Sequence, residues 1–249
     1  MFWSAELKST RMIKKMMKLN RRGKYEAVVN LADEIYELYF DSEDPYKRSH
    51  AKVALNSKAI SLVELEKYQD AILTCDQIID IFTHSTLPED TENEYRFEYI
   101  RAAYRNKALS YYSLKQYDKA IELIDSTVDE YIDYTDNTTE YLTINMLMIK
   151  AECLKIISEN INDRLAVFNK IVNRFQISND PDVLDIVIST LSEMLIICVI
   201  LDDYKNALVL GQIAGQLDSR ADQVKVQRIL TSVEQFEMLL EANKKGLMT

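Results

Sequence analysis

Apolar residues recur along this chain at intervals of three and four, the spacing that lines one face of an α-helix. Phe97, Ile100, Tyr104, Ala108 and Tyr111 make one such stripe, and Met146, Ile149, Cys153 and Ile156 make another. Leu165, Phe168, Ile171, Val172 and Phe175 form a third; Val226, Ile229, Val233, Phe236 and Leu240 form a fourth. Asp44-Pro45 and Asp180-Pro181 each set a carboxylate N-cap before a Pro at the first helical position, where its missing N–H costs nothing. These signals predict helix pairs starting near residues 4, 45, 92, 138 and 181. A last helix is predicted near 219–243, opening on a capping box from Ser219 to Asp222. Only four Gly and three Pro punctuate the 249 residues, which suits long helices joined by short turns and not a many-turned β fold.

Three segments repeat one another: LEKYQDAILTCDQII over 65–79, LKQYDKAIELIDSTV over 114–128 and LDDYKNALVLGQIAG over 201–215. Each reads Leu, two polar residues, Tyr, two polar residues, Ala and an aliphatic residue, so that Tyr68/Ala71, Tyr117/Ala120 and Tyr204/Ala207 correspond. A looser copy, GKYEAVVNLADEIY, begins at Gly23. The Ala residues are 49 and 87 positions apart, and the second gap holds two units of 43 to 44. A degenerate unit over 138–176 therefore belongs between Ala120 and Ala207.

These segments resemble the turn and second helix of the tetratricopeptide repeat family. The first-helix places of that family, a large residue, a small one and an aromatic, hold Tyr104, Ala108 and Tyr111 in one unit. In two others they hold Leu55, Ala59 and Leu62, and Leu191, Leu195 and Cys198, where Leu195 departs from the small type. The family's closing Pro is replaced by Thr83 and Ile132. The period exceeds the family's usual 34 residues, which implies longer helices. The resemblance covers 23–217 and implies an all-α, right-handed α-solenoid of about five antiparallel helix pairs. Residues 1–249 then form one array, with a basic amphipathic helix over 1–22 and a capping helix over 218–243. Ala71, Ala120 and Ala207 are expected where second helices approach closely.

Charge alters this picture at one end. The formal net charge is −10, which argues against general nucleic-acid binding. Yet residues 1–24 carry Lys8, Arg11, Lys14, Lys15, Lys18, Arg21, Arg22 and Lys24 against Glu6 alone, a local +7 that leaves −17 for the remainder. Met12, Ile13, Met16, Met17 and Leu19 make an apolar face on the same helix, with Phe2 and Trp3 at its start. That face either packs on a following helix near 24–40 or meets a membrane surface, an acidic partner or nucleic acid. Membrane contact is expected only through residues 1–22, since no run of about 18 apolar residues is evident, and the stretch over 1–18 lacks the continuous apolar core of a signal peptide.

Catalytic chemistry finds few candidates. Cys75, Cys153 and Cys198 are odd in number, widely spaced and set in apolar stripes, which predicts buried free thiols and a reduced, cytoplasmic setting. His50, on a predicted helix, and His84, in a predicted loop, have no second ligand at metal spacing, so both are expected to be surface residues. Gly211 and Gly215 fall inside a helix and predict close helix packing, not a phosphate loop. The acidic stretch over 88–94 reads as a solvated loop entering a helix N-terminus. No cofactor, metal or enzymatic activity is expected.

The family resemblance implies that ligands lie along the first helices, on the concave face. Carried over by register, the inward positions are Val53, Asn56, Ser57, Ile60 and Val63 in the second unit, and Ala102, Arg105, Asn106, Leu109 and Tyr112 in the third. In the fifth they are Ser189, Ser192, Glu193, Ile196 and Val199. Asn106 stands where some members hold a peptide backbone, and Arg105 with Arg101 is placed to receive a carboxylate. Ile60 and Leu109 occupy places where a dicarboxylate clamp wants polar groups, so a chaperone C-terminus is not the expected ligand. The apolar positions either hold an amphipathic helix or peptide, or fill the space between repeats. The expectation is a protein- or peptide-binding scaffold whose site comprises Asn56, Ile60, Val63, Arg101, Arg105, Asn106, Leu109 and Tyr112. A peptide-sensing regulator acting on a partner, a basic helix that binds a surface, and a homo-oligomer remain open beside it.

Overall fold

The computed structural model describes residues 2–85, 87, 96–133, 136–158, 160–217 and 222–244. Among them it is all-helical, with eleven helices and no strand. Five pairs run α1 (Phe2–Asn20) with α2 (Tyr25–Tyr39), α3 (Pro45–Glu64) with α4 (Tyr68–His84), α5 (Arg96–Ser113) with α6 (Tyr117–Tyr131), α7 (Asn137–Ile157) with α8 (Ile161–Phe175), and α9 (Pro181–Ile200) with α10 (Tyr204–Leu217). α11 (Gln223–Lys244) follows. The chain divides into two compact units, one up to Asp129 and the other from Glu130 on. Within each, consecutive helices pack on one another in a solenoid-like way.

The helix starts follow their caps. Asp44 accepts the Tyr46 N–H at 3.0 Å, and Asp180 accepts those of Asp182 and Val183 at 2.9 and 3.3 Å. Asp136 and Asn160 cap α7 and α8 in the same manner, without a Pro to announce them. Ser219 lies outside the described residues; Asp222 itself caps α11, accepting from Val224 and Lys225. The acidic stretch over 88–94 and the predicted helix start near 92 also lie outside the described residues.

Four of the five pairs turn through one and the same motif. Gly23, Glu66, Lys115 and Asp202 adopt φ of 64°, 57°, 60° and 54°, and each stands two residues before a Tyr. Each donates its N–H three residues back, and the next residue donates five back: Lys24 to Leu19, Lys67 to Leu62, Gln116 to Tyr111 and Asp203 to Cys198. This is a Schellman closure, which satisfies carbonyls that the helix end would leave bare. The fourth pair departs from it, for Ser158 and Asn160 are extended and Asn160 caps the next helix directly.

Packing places small residues where helices meet. Ala71, Ala120 and Ala207 are buried, as are Ala59 and Ala108 on first helices, and Val28 takes the Ala place in the loose copy. Leu195, at the departing small position, is buried too. Ion pairs tie a second helix to the next first helix: Lys58 Nζ to Asp33 at 2.6 Å and Lys107 Nζ to Asp76 at 2.5 Å. Gly211 and Gly215 differ in role. A Cβ on Gly211 would come within 3.0 Å of Val233 on α11, whereas one on Gly215 would meet nothing within 4 Å. Gly215→Ala should therefore stabilise the fold by about 0.5–1 kcal/mol through helix propensity. Gly211→Val should instead cost about 1–3 kcal/mol by wedging α10 from α11; urea midpoints of the two variants check the opposite signs.

Several stripe positions differ from expectation. Met12, Ile13 and Met16 pack within the first unit's core beside α2, but Met17 is exposed. Phe97 and Ile156 are exposed as well, each near a helix end where the partner helix no longer covers it. His50 is not a surface residue: it is buried, its ring 4.3 Å from that of Tyr46, and desolvation lowers its pKa while Asp44 works against the shift. His84 is not in a loop but ends α4, pairing with Asp80 at 3.0 Å. α9 is long and apolar enough, by length and composition, to cross a membrane, although more than half of its most apolar window is buried. Scattered acids (Asp182, Asp185, Glu193) hid this from a search for an unbroken apolar run.

Candidate functional site

In the first unit the expected inner-face residues are drawn in. Between Glu98 and Ser113 no residue of α5 is exposed, and α3 exposes none between Lys47 and Val63. Asn56, Ile60 and Val63 on α3 are half-buried, as are Arg105, Leu109 and Tyr112 on α5. Arg101 and Asn106 are buried, at 5% and 4% exposed. Arg105 Nη1 donates to Asn106 Oδ1 at 3.0 Å, so that amide oxygen is already engaged. The Asn56 Oδ1 and the Arg105 Nε are buried without a hydrogen-bond partner. The Tyr112 ring sits 5.8 Å from that of Tyr117. α3 and α5 are neighbours in this unit, so the eight residues share a region but present little open surface.

A separate cavity of about 560 Å³ opens at the ends of α2, α3 and α4, with Arg48, Lys52, Asp80 and His84 on its walls. Arg48 Nη1 donates to the Ser42 carbonyl at 2.5 Å, and the Lys52 ammonium lies 5.9 Å from the Phe82 ring. Its charged groups are of both signs, and Asp80 pairs with His84 at 3.0 Å.

The second unit is different. Along α9, Asp182, Ser189, Ile196, Val199 and Ile200 are exposed at intervals that repeat one helix face. The opposite face buries Val183, Leu184, Val187, Leu191, Met194 and Cys198. Beside the exposed face runs α7, and between the two lies a groove of about 540 Å³ lined by Tyr141, Asn145, Met148, Asp182, Asp185, Ile186 and Ser189. Its floor is held by Thr190, whose hydroxyl lies 3.6 Å from the Met148 sulfur. Asn145 Nδ2 donates to the Tyr141 carbonyl at 2.6 Å, and Asp185 receives Lys225 Nζ at 2.5 Å. Farther along α9, Glu193 receives Arg164 Nη2 at 2.6 Å, and that guanidinium lies 4.9 Å from the Phe168 ring. Beyond it the face turns apolar: Ile196, Val199 and Ile200 are 55%, 45% and 66% exposed, and Leu201 in the turn is 48% exposed.

The open face is thus acidic and polar at the start of α9 and apolar at its end. Searches against protein-family models, curated proteins and solved structures find no match to this chain. Its chemistry must be read from the residues alone. The thiols offer no ready nucleophile: Cys75, Cys153 and Cys198 are all buried and outside any disulfide, and desolvation pushes Cys75 up to about 12 and raises Cys198. Among the described residues no group of three or more His, Cys, Asp or Glu could hold a metal ion. Ser189, Glu193, Ile196 and Val199 belong to the register read from the repeats. Tyr141, Asn145 and Met148 escaped it, because the fourth unit lacks the Tyr-x-x-Ala step that sets the register.

Proposed function

We propose that this chain is a non-catalytic scaffold of tetratricopeptide type that binds a segment of another protein along the first helices α7 and α9. The observation that carries this reading is the cluster Ile196, Val199 and Ile200, three large apolar side chains left open on the α9 face that farther back lines a polar groove. Single exposed apolar residues need no explanation, but a contiguous group rimmed by polar ones marks a contact surface. The matching ligand is an amphipathic helix or extended peptide with apolar residues at one end and a Lys or Arg near the other, opposite Asp182.

Selection from a displayed random-peptide library tests this, using the wild-type chain and the I196D/V199D variant. Both substitutions are at exposed positions, so the variant should melt within about 0.5 kcal/mol of wild type. Peptides recovered on wild type should carry apolar residues at helical or alternate spacing with a basic end, and should lose at least tenfold in affinity on the variant. Equal affinity for both proteins would sink the proposal.

A further inference from the structure

α1 carries its charge and its packing on opposite faces. Lys8, Arg11, Lys14, Lys15 and Lys18 are all exposed, and at 100° per residue they fall within an arc of about 120° on the helix. Ser9, Met12, Ile13 and Met16 lie across from them and are buried, the last three within the core beside α2. Arg21, Arg22 and Lys24 extend the basic surface into the following turn, and they too are exposed. None of these eight cations has an ion pair or side-chain hydrogen bond, in contrast to Lys58 and Lys107 of the same unit. Like charges at i, i+3 and i+4 repel one another on a helix, so the stripe costs stability and returns none through contacts.

We propose that this stripe binds the sugar–phosphate backbone of a single-stranded nucleic acid. Its five helical cations extend over about 15 Å of axis, at 1.5 Å per residue. That length is enough to follow several phosphates of one strand, as the basic grooves of single-strand binders do. A bilayer fits less well on two counts. Met12, Ile13 and Met16 are spent on the core and cannot enter lipid without unpacking α1. A charged plane would also meet the rest of the first unit, whose residues 25–129 carry about −10, whereas a thread of phosphates can follow the stripe and avoid them. The stripe itself consists of Lys and Arg alone, side chains that meet phosphates and carry no stacking surface for bases, apart from the guanidinium of Arg11.

The test is fluorescence anisotropy of a labelled 20-nucleotide oligo(dT) with the full chain, in parallel with co-sedimentation on vesicles containing phosphatidylserine. Binding of oligo(dT) should weaken with salt at a log–log slope between about −2 and −3.5, roughly −0.7 for each of three to five phosphates met by the five helical cations. K8Q/R11Q/K15Q/K18Q should lose at least tenfold in affinity while keeping the wild-type melting curve, whereas K205Q/R228Q should bind as wild type. K8R/K15R/K18R should also bind as wild type, which shows that charge and not a particular side chain is read. Oligo(dT) affinity unchanged in the quadruple variant, or no binding at all at low salt, overturns the proposal. Vesicle binding that is lost in the quadruple variant, and stronger than that of oligo(dT), overturns it in favour of a lipid surface.

Discussion

Glu140→Ala should destabilise the unit from Glu130 onward by about 3–5 kcal/mol, the cost of removing one partner from a buried ion pair. Glu140 stands in the first turn of α7 with its side chain only 6% exposed. Its carboxylate receives Ser178 Oγ at 2.5 Å and Arg174 Nη1 at 3.4 Å. Arg174 in turn donates from Nε to the Ile132 carbonyl at 2.6 Å and covers the Phe175 ring at 5.3 Å. One carboxylate thus ties the chain entering α7, the end of α8 and the loop that leads to α9. Without it, the partly buried Arg174 guanidinium loses the Glu140 counter-charge, and Ser178 loses an acceptor. Glu140→Gln retains the acceptor for Ser178 but not the charge, so it should fall between. Urea unfolding followed by far-UV circular dichroism gives the ordering, and a Glu140→Ala midpoint equal to wild type would show that the pair contributes nothing.

None of that network was visible in the sequence. Glu140 lies between two Thr and Tyr141, in the unit that lacks the repeat signature, and nothing marks it as buried. What was legible is the part governed by local rules. The Asp-Pro caps, the three-and-four spacing and the Tyr-x-x-Ala step each depend on residues within a turn or two, and the helix starts at 45 and 181 followed from them. The site depended on longer-range facts. Register placed Asn56, Arg105 and Asn106 on an inner face, but how far that face stays open is set by neighbouring helices, and in the first unit they close over it. The same register put Ile196 and Val199 on an inner face, and in the second unit both side chains are exposed, on the α9 face that borders a groove with α7. His50 failed for the same reason: a polar residue near Lys47 and Arg48 reads as surface, yet Tyr46 and the helices around it bury the ring.

The recurring turn leads to the second large effect, and its direction is opposite. Glu66, Lys115 and Asp202 hold a left-handed backbone that costs an L-residue about 1–2 kcal/mol, and Gly23 fills the same place in the first pair at no such cost. Part of the gain from a glycine is returned as unfolded-state entropy, leaving about 0.5–1 kcal/mol at each turn. The three turns are 49 and 87 residues apart in sequence and share no partner, so their effects should add. E66G/K115G/D202G is therefore expected to be about 1.5–3 kcal/mol more stable than wild type, with a midpoint raised by about 3 °C or more. Gly23→Ala should lose about 1 kcal/mol by the reverse argument. Thermal melts of the triple variant and of Gly23→Ala check both signs. A triple variant no more stable than wild type would mean that the side chains of Glu66, Lys115 and Asp202 repay their backbone strain. That outcome would remove the main reason for treating the four turns as one structural element repeated along the chain.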